Sequence, residues 1–265
     1  MCGILGLYDS NKINESLFTQ SIKLLDSRGP DNTSIHLINE NILLGHTRLS
    51  IIDLDIGNNQ PFIEKNFYLT YNGEIFNFLE IKDQLIKLGY KFITNGDTEV
   101  VMKSYIHWGE DCVNHFNGMW AFVIYDKNEN KFFCSRDRFG IKPFYYYYDK
   151  SKFIFSSQIK PILKYYPNLR KVNYSSINNY FNSGTGAQSR ETWFENILRL
   201  EPAHNMSIKG NSIKHHSYWE YPSTKLNISF KEAKNEFFNL LKNSVNIRLR
   251  SDVKLASTIT SGSNS

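Results

Sequence analysis

The first two residues of the chain, Met1 and Cys2, hold the parts of a nucleophilic catalyst. If Met1 is removed, Cys2 carries a thiol and a free α-amine on the same Cα. The thiol is a good nucleophile, and an α-amine with a pKa of roughly 7.7–8.0 can accept a proton near neutral pH. An N-terminal amine beside a nucleophile is a known way of activating it. Cys2 is therefore the candidate catalytic residue for attack on a carbonyl group, and a small buried thiol is the alternative.

Asn72 and Gly73 follow a predicted strand at residues 67–71. A side-chain amide next to a glycine N–H can hold a developing oxyanion, and glycine lets the backbone approach a ligand closely. Asn-Gly is also the strongest short signal for a β-hairpin turn. Taken alone, this motif favours the turn.

Three charged residues can bind the two ends of an amino acid. Arg48, at the end of a predicted strand Ile42–Arg48, can hold a carboxylate through two parallel hydrogen bonds. Asp97 can bind an ammonium group, with help from Glu74. Taken singly, a surface arginine, a helix N-cap and a solvated turn acid explain these residues better.

Two charge-dense turns, at residues 28–31 and 136–138, contain no nucleophile and no tunable base. They are predicted to brace the site through structural ion pairs. None of the seven histidines has a spacing typical of metal ligands, so no metal site is predicted.

Composition indicates a folded protein of one large domain, or one domain and a piece of another. The 265 residues are 41% hydrophobic and 22% charged. Three cysteines without a CxxC motif favour a reducing compartment over a disulfide framework. The net charge of +5 is spread along the chain, which predicts no nucleic-acid partner. No signal peptide and no apolar run of ~18 residues is present, so the expectation is a cytoplasmic protein without a membrane partner.

The pattern of apolar residues predicts an α+β domain of antiparallel sheets covered by helices. Besides those above, strands are predicted at residues 4–8, 33–37, 119–126, 131–135, 144–148, 153–156, 193–200, 205–209 and 213–219. Helices are predicted at residues 14–26, 78–88, 98–108, 159–165 and 175–182. After a linker at 222–227, a capping box of Ser229 and Glu232 begins a helix that ends near Arg250. A strand at 255–260 follows.

Several motifs, in order along the chain, resemble the glutaminase (class II amidotransferase) domain of glutamine-dependent asparagine synthetases. They lie at residues 1–4, 28–31, 44–54, 71–77, 96–100, 116–122, 135–143 and 155–157.

The resemblance implies a glutamine amidotransferase domain over residues 2–219, with the four-layer αββα sandwich of N-terminal-nucleophile hydrolases. It implies that Cys2 attacks the side-chain amide of glutamine and releases glutamate and ammonia without a cofactor. Asn72 and Gly73 would form the oxyanion hole. The glutamine site would comprise Arg48, Leu49, Ser50, Ile51, Ile52, Asn72, Gly73, Glu74 and Asp97, with Arg48 at the carboxylate and the two acids at the amino group.

Residues 220–265 resemble a linker, a helix and the truncated start of the ATP-pyrophosphatase domain of the same enzymes. The remnant of its ATP loop comprises Ile259, Ser261, Gly262 and Ser265. Ser261 replaces a glycine of the family pattern and Asn264 replaces an aspartate. The chain alone is therefore not expected to make asparagine, and ATP and Mg²⁺ would enter only with a synthetase domain on another chain. Either a separate synthetase subunit or a second copy would be the partner.

Two other functions stay open. The chain can be a non-catalytic remnant that binds glutamine or a partner, which the altered loop favours. It can also be a glutaminase that supplies ammonia to another acceptor, such as an amino sugar or a phosphoribosyl compound.

Overall fold

Two antiparallel sheets form the centre of the computed structural model, which describes residues 1–184 and 190–256. The first sheet has six strands in the order β10-β8-β9-β1-β3-β2. Their bounds are β1 Gly3–Asp9, β2 Asn32–Asn39, β3 Ile42–Arg48, β8 Tyr145–Tyr148, β9 Lys152–Ser156 and β10 Leu198–Arg199. The central strands β1 and β3 are buried on both faces, whereas the edge strand β2 alternates between half-buried and exposed residues.

The second sheet also has six strands, in the order β12-β11-β7-β6-β5-β4. Their bounds are β4 Phe62–Glu64, β5 Phe67–Ile75, β6 Gly118–Asp126, β7 Lys131–Arg136, β11 His204–Lys209 and β12 Ser212–Ser217. The predicted strand at 193–200 is reduced to β10 and two isolated bridges.

Helices cover the outer face of each sheet. Their bounds are α1 Glu15–Ile22, α2 Phe78–Lys87, α3 Asp97–Trp108, α4 Ile159–Tyr165, α5 Tyr174–Ser183 and α6 Phe230–Arg248. Short 3-10 turns lie at Lys23–Leu25, Ile56–Asn58, Gly109–His115 and Pro167–Leu169. None of the helices in the described ranges combines the length and apolarity needed to span a membrane.

Three apolar clusters separate four layers. Phe18 belongs to a cluster between α1, α4 and the first sheet. Leu44 and Val123 meet in the cluster between the two sheets, and Val101 belongs to the cluster between the second sheet and α2 and α3. Each sheet thus buries both faces, one against helices and one against the other sheet. The predicted αββα sandwich is confirmed.

Two local predictions are wrong at residues of the expected site. Asn72 and Gly73 do not form a hairpin turn, because β5 continues through them and pairs with β6, with Gly73 opposite Trp120. Asp97 is the first residue of α3 rather than its N-cap, which is Gly96.

The side chain of Asn77, the N-cap residue of α2, makes no capping hydrogen bond to its own helix. The Asn77 side chain donates to the carbonyl of His115 at 3.0 Å and accepts from the N–H of Asn117 at 2.8 Å. It therefore links the start of α2 to the segment before β6 instead of capping its own helix.

The C-terminal helix α6 begins with the predicted capping box of Ser229 and Glu232, which is confirmed. Six large apolar side chains of this helix are exposed, namely Phe230, Phe237, Phe238, Leu240, Leu241 and Val245. Residues 255 and 256 are not in a strand. The rest of the predicted strand, and with it Ile259, Ser261, Gly262 and Ser265, lies outside the described residues.

Candidate active site

A cavity of about 180 Å³ adjoins Cys2. Its lining consists of Met1, Cys2, Arg48, Leu49, Ile51, Ile52, Asn58, Gln60, Tyr71, Asn72, Gly73, Glu74, Asp97, Thr98, Met119 and Lys142. All predicted residues of the glutamine site are in this lining except Ser50. The backbone N–H of Ser50 donates instead to the carboxylate of Asp31 at 2.7 Å.

Cys2 is positioned by the pairing of β1 with β3, which sets Gly3 opposite Thr47 and brings Cys2 beside Leu49. The Cys2 Sγ lies 3.4 Å from the N–H of Leu49 and 3.6 Å from its carbonyl. The Cys2 carbonyl accepts a hydrogen bond of 2.9 Å from Nε of Arg28. Burial raises the pKa of the thiol, and the hydrogen bond from Leu49 opposes that shift. A buried thiol of this kind needs a base to become a nucleophile.

Asn72 and Gly73 lie on β5 and face the same cavity. The Asn72 side chain is 1% exposed, and neither its Nδ2 nor its Oδ1 has a hydrogen-bond partner in residues 1–184 and 190–256. Gly73 has no room for a side chain, because a Cβ would stand 2.5 Å from the carbonyl oxygen of Met119. The Asn72 amide, which has no partner among the described residues, therefore lines the cavity next to the backbone of Gly73, which no side chain covers.

The loop after β3 fixes the guanidinium of Arg48. This group donates to the carbonyls of Asp53 and Asp55, the latter at 2.8 Å, and to Oδ1 of Asn59 at 2.8 Å. Arg48 is 6% exposed. Its positive charge is thus held at the cavity wall by oxygen acceptors of residues 53–59.

Two carboxylates, those of Asp97 and Glu74, also line the cavity. The Asp97 carboxylate accepts from the N–H of Ile75 at 2.9 Å and from the hydroxyl of Tyr71 at 2.7 Å, which ties α3 to β5. Burial raises the pKa of Asp97, and these hydrogen bonds oppose the shift. Burial also raises the pKa of Glu74, and the neighbouring charge of Asp97 adds to it.

Six further residues line the cavity that the sequence did not assign to the glutamine site, namely Asn58, Gln60, Tyr71, Thr98, Met119 and Lys142. Lys142 is 5% exposed, and burial lowers its pKa while the charges of Cys2 and Glu74 raise it. Lys142 lies in the motif at residues 135–143, and this position could have identified it as a residue of the cavity. The loop residue Asn58 had no such signal.

The charge-dense turn at residues 136–138 was predicted to brace the site through ion pairs, but in the described residues its side chains bond to backbone groups instead. The Asp137 carboxylate accepts from the N–H of Lys142 at 2.9 Å and of Trp120 at 3.2 Å. Arg136 donates to the carbonyls of Lys142 at 2.7 Å and Leu200 at 2.6 Å. Both backbone groups of Lys142 are therefore bonded within the turn, its N–H to Asp137 and its carbonyl to Arg136.

The segment after α6 contacts the same loop that holds Arg48. The N–H of Asp252 donates to the carbonyl of Ile51 at 3.0 Å, and the carboxylate of Asp252 accepts from the N–H of Asp53 at 2.7 Å. Arg250 donates to the Glu80 carboxylate on α2 through both NH1 and NH2. The C-terminal segment is thus bonded directly to residues 51–53.

A four-layer αββα sandwich of two antiparallel sheets is the fold of N-terminal-nucleophile hydrolases. A family model described as a glutamine amidotransferase domain matches residues 1–219, and the chain belongs to this family.

Two relatives are similar over nearly the whole chain. A Methanocaldococcus jannaschii protein named as glutamine-hydrolyzing asparagine synthetase 2 is 38% identical, over 99% of this chain and 55% of its own length. Asparagine synthetase (glutamine-hydrolyzing) 3 of Bacillus subtilis is 32% identical, over 99% of this chain and 44% of its own length. The chain therefore spans about half the length of these relatives.

The fold is also that of a solved amidotransferase. Glutamine phosphoribosylpyrophosphate amidotransferase from Bacillus subtilis superposes with a TM-score of 0.58 at 18% identity, covering 86% of this chain and 50% of that one. At this identity the likeness concerns the fold alone.

Proposed function

We propose that this protein is the glutaminase half of an amidotransferase of the asparagine-synthetase type, with Cys2 as its nucleophile. The observation that carries the proposal is the single cavity in which Cys2, the unpartnered amide of Asn72 and the charges of Arg48 and Asp97 meet. An amino acid with a side-chain amide matches these groups: the charged groups take its α-carboxylate and α-ammonium, and the thiol takes its amide carbon.

In the first half of the reaction, the α-amine of Met-processed Cys2 takes the thiol proton while Sγ bonds to the amide carbon of glutamine. The carbonyl electron pair moves to oxygen, where Nδ2 of Asn72 and the N–H of Gly73 donate to it. The carbonyl then reforms, the C–N bond breaks, and the ammonium proton goes to the leaving nitrogen. Ammonia and a glutamyl thioester result.

In the second half, water adds to the thioester and gives a proton to the same amine. The S–C bond breaks and that proton returns to sulfur, so glutamate leaves and the thiol is restored. The position of the amine favours its role as a base. Burial already lowers the pKa of the Met1 amine, and the amine of Cys2 would lie one residue deeper.

The ammonia would serve to amidate aspartate in asparagine synthesis. Similarity to two asparagine synthetases supports this acceptor, and ATP and Mg²⁺ would act at a synthetase domain outside the residues seen here. The exposed apolar side chains of α6 support a protein partner of this kind, since large exposed apolar patches mark interaction sites. We assign the reaction to the cytoplasm.

The test is glutamate release from glutamine by protein whose Met1 has been removed, as verified by intact mass. Cys2→Ala should abolish release. Asn72→Ala should lower kcat by about 10²–10³-fold with little change in KM, because it removes an oxyanion donor. An electrophilic glutamine analogue should label wild-type protein on Cys2 and leave Cys2→Ala unlabelled.

A processed protein that neither releases glutamate nor reacts with the analogue, also when mixed with a synthetase-type partner, would contradict the proposal. The non-catalytic alternative would then hold. Retention of Met1 in the isolated protein would support that alternative as well, because it blocks the amine.

A further inference from the structure

We propose that Asn58 is a specificity-determining residue, whose side-chain amide binds the α-carboxylate and the α-ammonium group of glutamine. The inference deepens the proposed function and rests on it, since it concerns the substrate of the same cavity. Asn58 ends the short turn Ile56–Asn58 and lines the cavity together with Cys2.

The amide of Asn58 is buried and unpaired. The residue is 3% exposed, and both Nδ2 and Oδ1 lack a hydrogen-bond partner throughout the part of the chain that the structure describes. Its backbone N–H is satisfied, because it donates to the carbonyl of Asp55 at 3.2 Å. Buried side-chain amides are normally paired, so a pair of free polar atoms facing a cavity indicates a ligand or solvent partner.

The next two residues show what a structural amide does in this loop. Oδ1 of Asn59 accepts from Arg48 at 2.8 Å. Gln60 uses both ends of its amide, accepting from the N–H of Tyr71 at 2.6 Å and donating to Oγ1 of Thr98 at 3.4 Å. Of three consecutive amide side chains, two hold the fold together and only that of Asn58 is left for another partner.

The start of α3 is shaped to receive the amide of Asn58. A Cβ on Gly96 would stand 2.2 Å from Nδ2 and 2.8 Å from Oδ1 of Asn58, so any side chain at position 96 would displace it. Asp97 follows directly and lines the same cavity. The amide is therefore held beside the carboxylate that the proposed function assigns to the α-ammonium group.

The chemistry of the amide fits an α-amino acid. Nδ2 donates and can bind a carboxylate, whereas Oδ1 accepts and can bind an ammonium group. Arg48 and Asp97 supply the charges. Asn58 supplies one neutral donor for the α-carboxylate and one neutral acceptor for the α-ammonium group of the amino acid. A ligand that lacks either group leaves a buried polar atom unpaired, which is an effective way to reject it.

The experiment compares three amides as substrates of the processed full chain: glutamine, glutaramate, which lacks the amino group, and 4-aminobutanamide, which lacks the carboxylate. Asn58→Ala should lower kcat/KM for glutamine by about tenfold or more, mainly through KM. The loss should be smaller for each analogue, because each makes only one of the two hydrogen bonds. Asn66→Ala, an exposed asparagine on the β4–β5 turn, is the matched control.

A second variant separates the loss of hydrogen bonds from the loss of side-chain volume that Asn58→Ala also causes. Asn58→Asp keeps the acceptor but brings a negative charge to the carboxylate, so it should impair glutamine and glutaramate and spare 4-aminobutanamide. Melting temperatures of both variants check that they fold. Equal losses for all three amides, or a glutamine kcat/KM within about twofold of wild type, would overturn the inference.

Calorimetric titration of Cys2→Ala with glutamine separates this inference from the proposed function. If Asn58→Ala weakens glutamine binding but the wild-type chain releases no glutamate, the role of Asn58 is supported and the proposed function fails. If the wild-type chain and Asn58→Ala release glutamate with the same kcat/KM, the inference is overturned and the proposed function stands.

Discussion

Cys2 is the residue whose reactivity depends most on its surroundings. Burial raises the pKa of its thiol, and the negative charge of Asp97 acts in the same direction. The N–H of Leu49 and the ammonium group of Lys142 lower it. The turn that holds Lys142 is fixed by Asp137, so a residue predicted only as a brace positions a charge beside the proposed nucleophile.

Lys142→Gln should shift the acid limb of the kcat/KM profile to higher pH. The positive charge lowers the pKa of the N-terminal amine, so its removal raises that pKa and leaves less free amine to take the thiol proton at a given pH. Activity at pH 7 should fall roughly tenfold or less, the range expected for one nearby charge at a partly screened site. The measurement is kcat/KM for glutamine across pH, with melting temperature as a check on folding.

Lys127→Gln is the control for that prediction. Lys127 is exposed in the turn after β6, at the opposite end of the strand from Met119, which lines the cavity. Its removal should leave the profile where it is. An acid limb of Lys142→Gln that stays in place or moves to lower pH would contradict the role given to this charge.

At the scale of elements, β5 shows where local sequence signals succeed and fail. A strand was predicted at residues 67–71, but the Asn-Gly pair indicated that it ends at Tyr71. In the structure the register with β6 runs on from Phe67 opposite Asp126 to Ile75 opposite Gly118. Pairing with a distant strand outweighs the local turn preference, and that pairing leaves no trace in residues 72–75 themselves.

The loop between β3 and β4 is an element that depends on the C-terminal segment. Asp252 bonds to both Ile51 and Asp53, and the carbonyl of Asp53 in turn accepts from Arg48. Asp252→Ala should therefore loosen the cavity wall and raise KM for glutamine about threefold to tenfold with kcat nearly unchanged, since the hydrogen bond of the Asp252 carboxylate is lost away from the reacting atoms.

Asp252→Asn tests the same contact, because its Oδ1 can still accept from the N–H of Asp53 and should restore most of the affinity. Asp83→Ala, at an exposed position of α2, is the matched control. Equal falls in kcat for both Asp252 variants, without a change in KM, would speak against a positioning role for Asp252.

At the scale of the whole molecule, the layers were predictable and much of the cavity was not. Runs of apolar residues predicted antiparallel strands covered by helices, and ordered motifs identified the αββα arrangement. The sequence did not show that β7 and β8, which follow each other along the chain, enter different sheets, because strand pairing is long-range. Asn58 and Gln60 were missed for a similar reason: polar loop residues carry no local sign of what the fold places beside them.

The last prediction concerns a shortened chain that ends at Glu220. All three apolar clusters are built from described residues that precede this point, and α6 contributes to none of them. The shortened protein should fold with a melting temperature within about 4 °C of the full chain, the shift expected for about 1 kcal/mol in a domain of this size. It also lacks both hydrogen bonds of Asp252, so its KM for glutamine should be at least as high as that of Asp252→Ala and above that of wild type.

These two measurements separate stability from positioning at the level of the molecule. If α6 belonged to the folding core, removing it would lower the melting temperature well beyond that range or prevent folding. If the contact of Asp252 with residues 51–53 were incidental, the shortened chain would bind glutamine as tightly as the full one. The full chain carrying Asp252→Ala has lost the side-chain bond to Asp53 but keeps the backbone bond to Ile51. A further increase in KM on shortening therefore measures what that backbone bond and the rest of the segment after Glu220 contribute to the cavity.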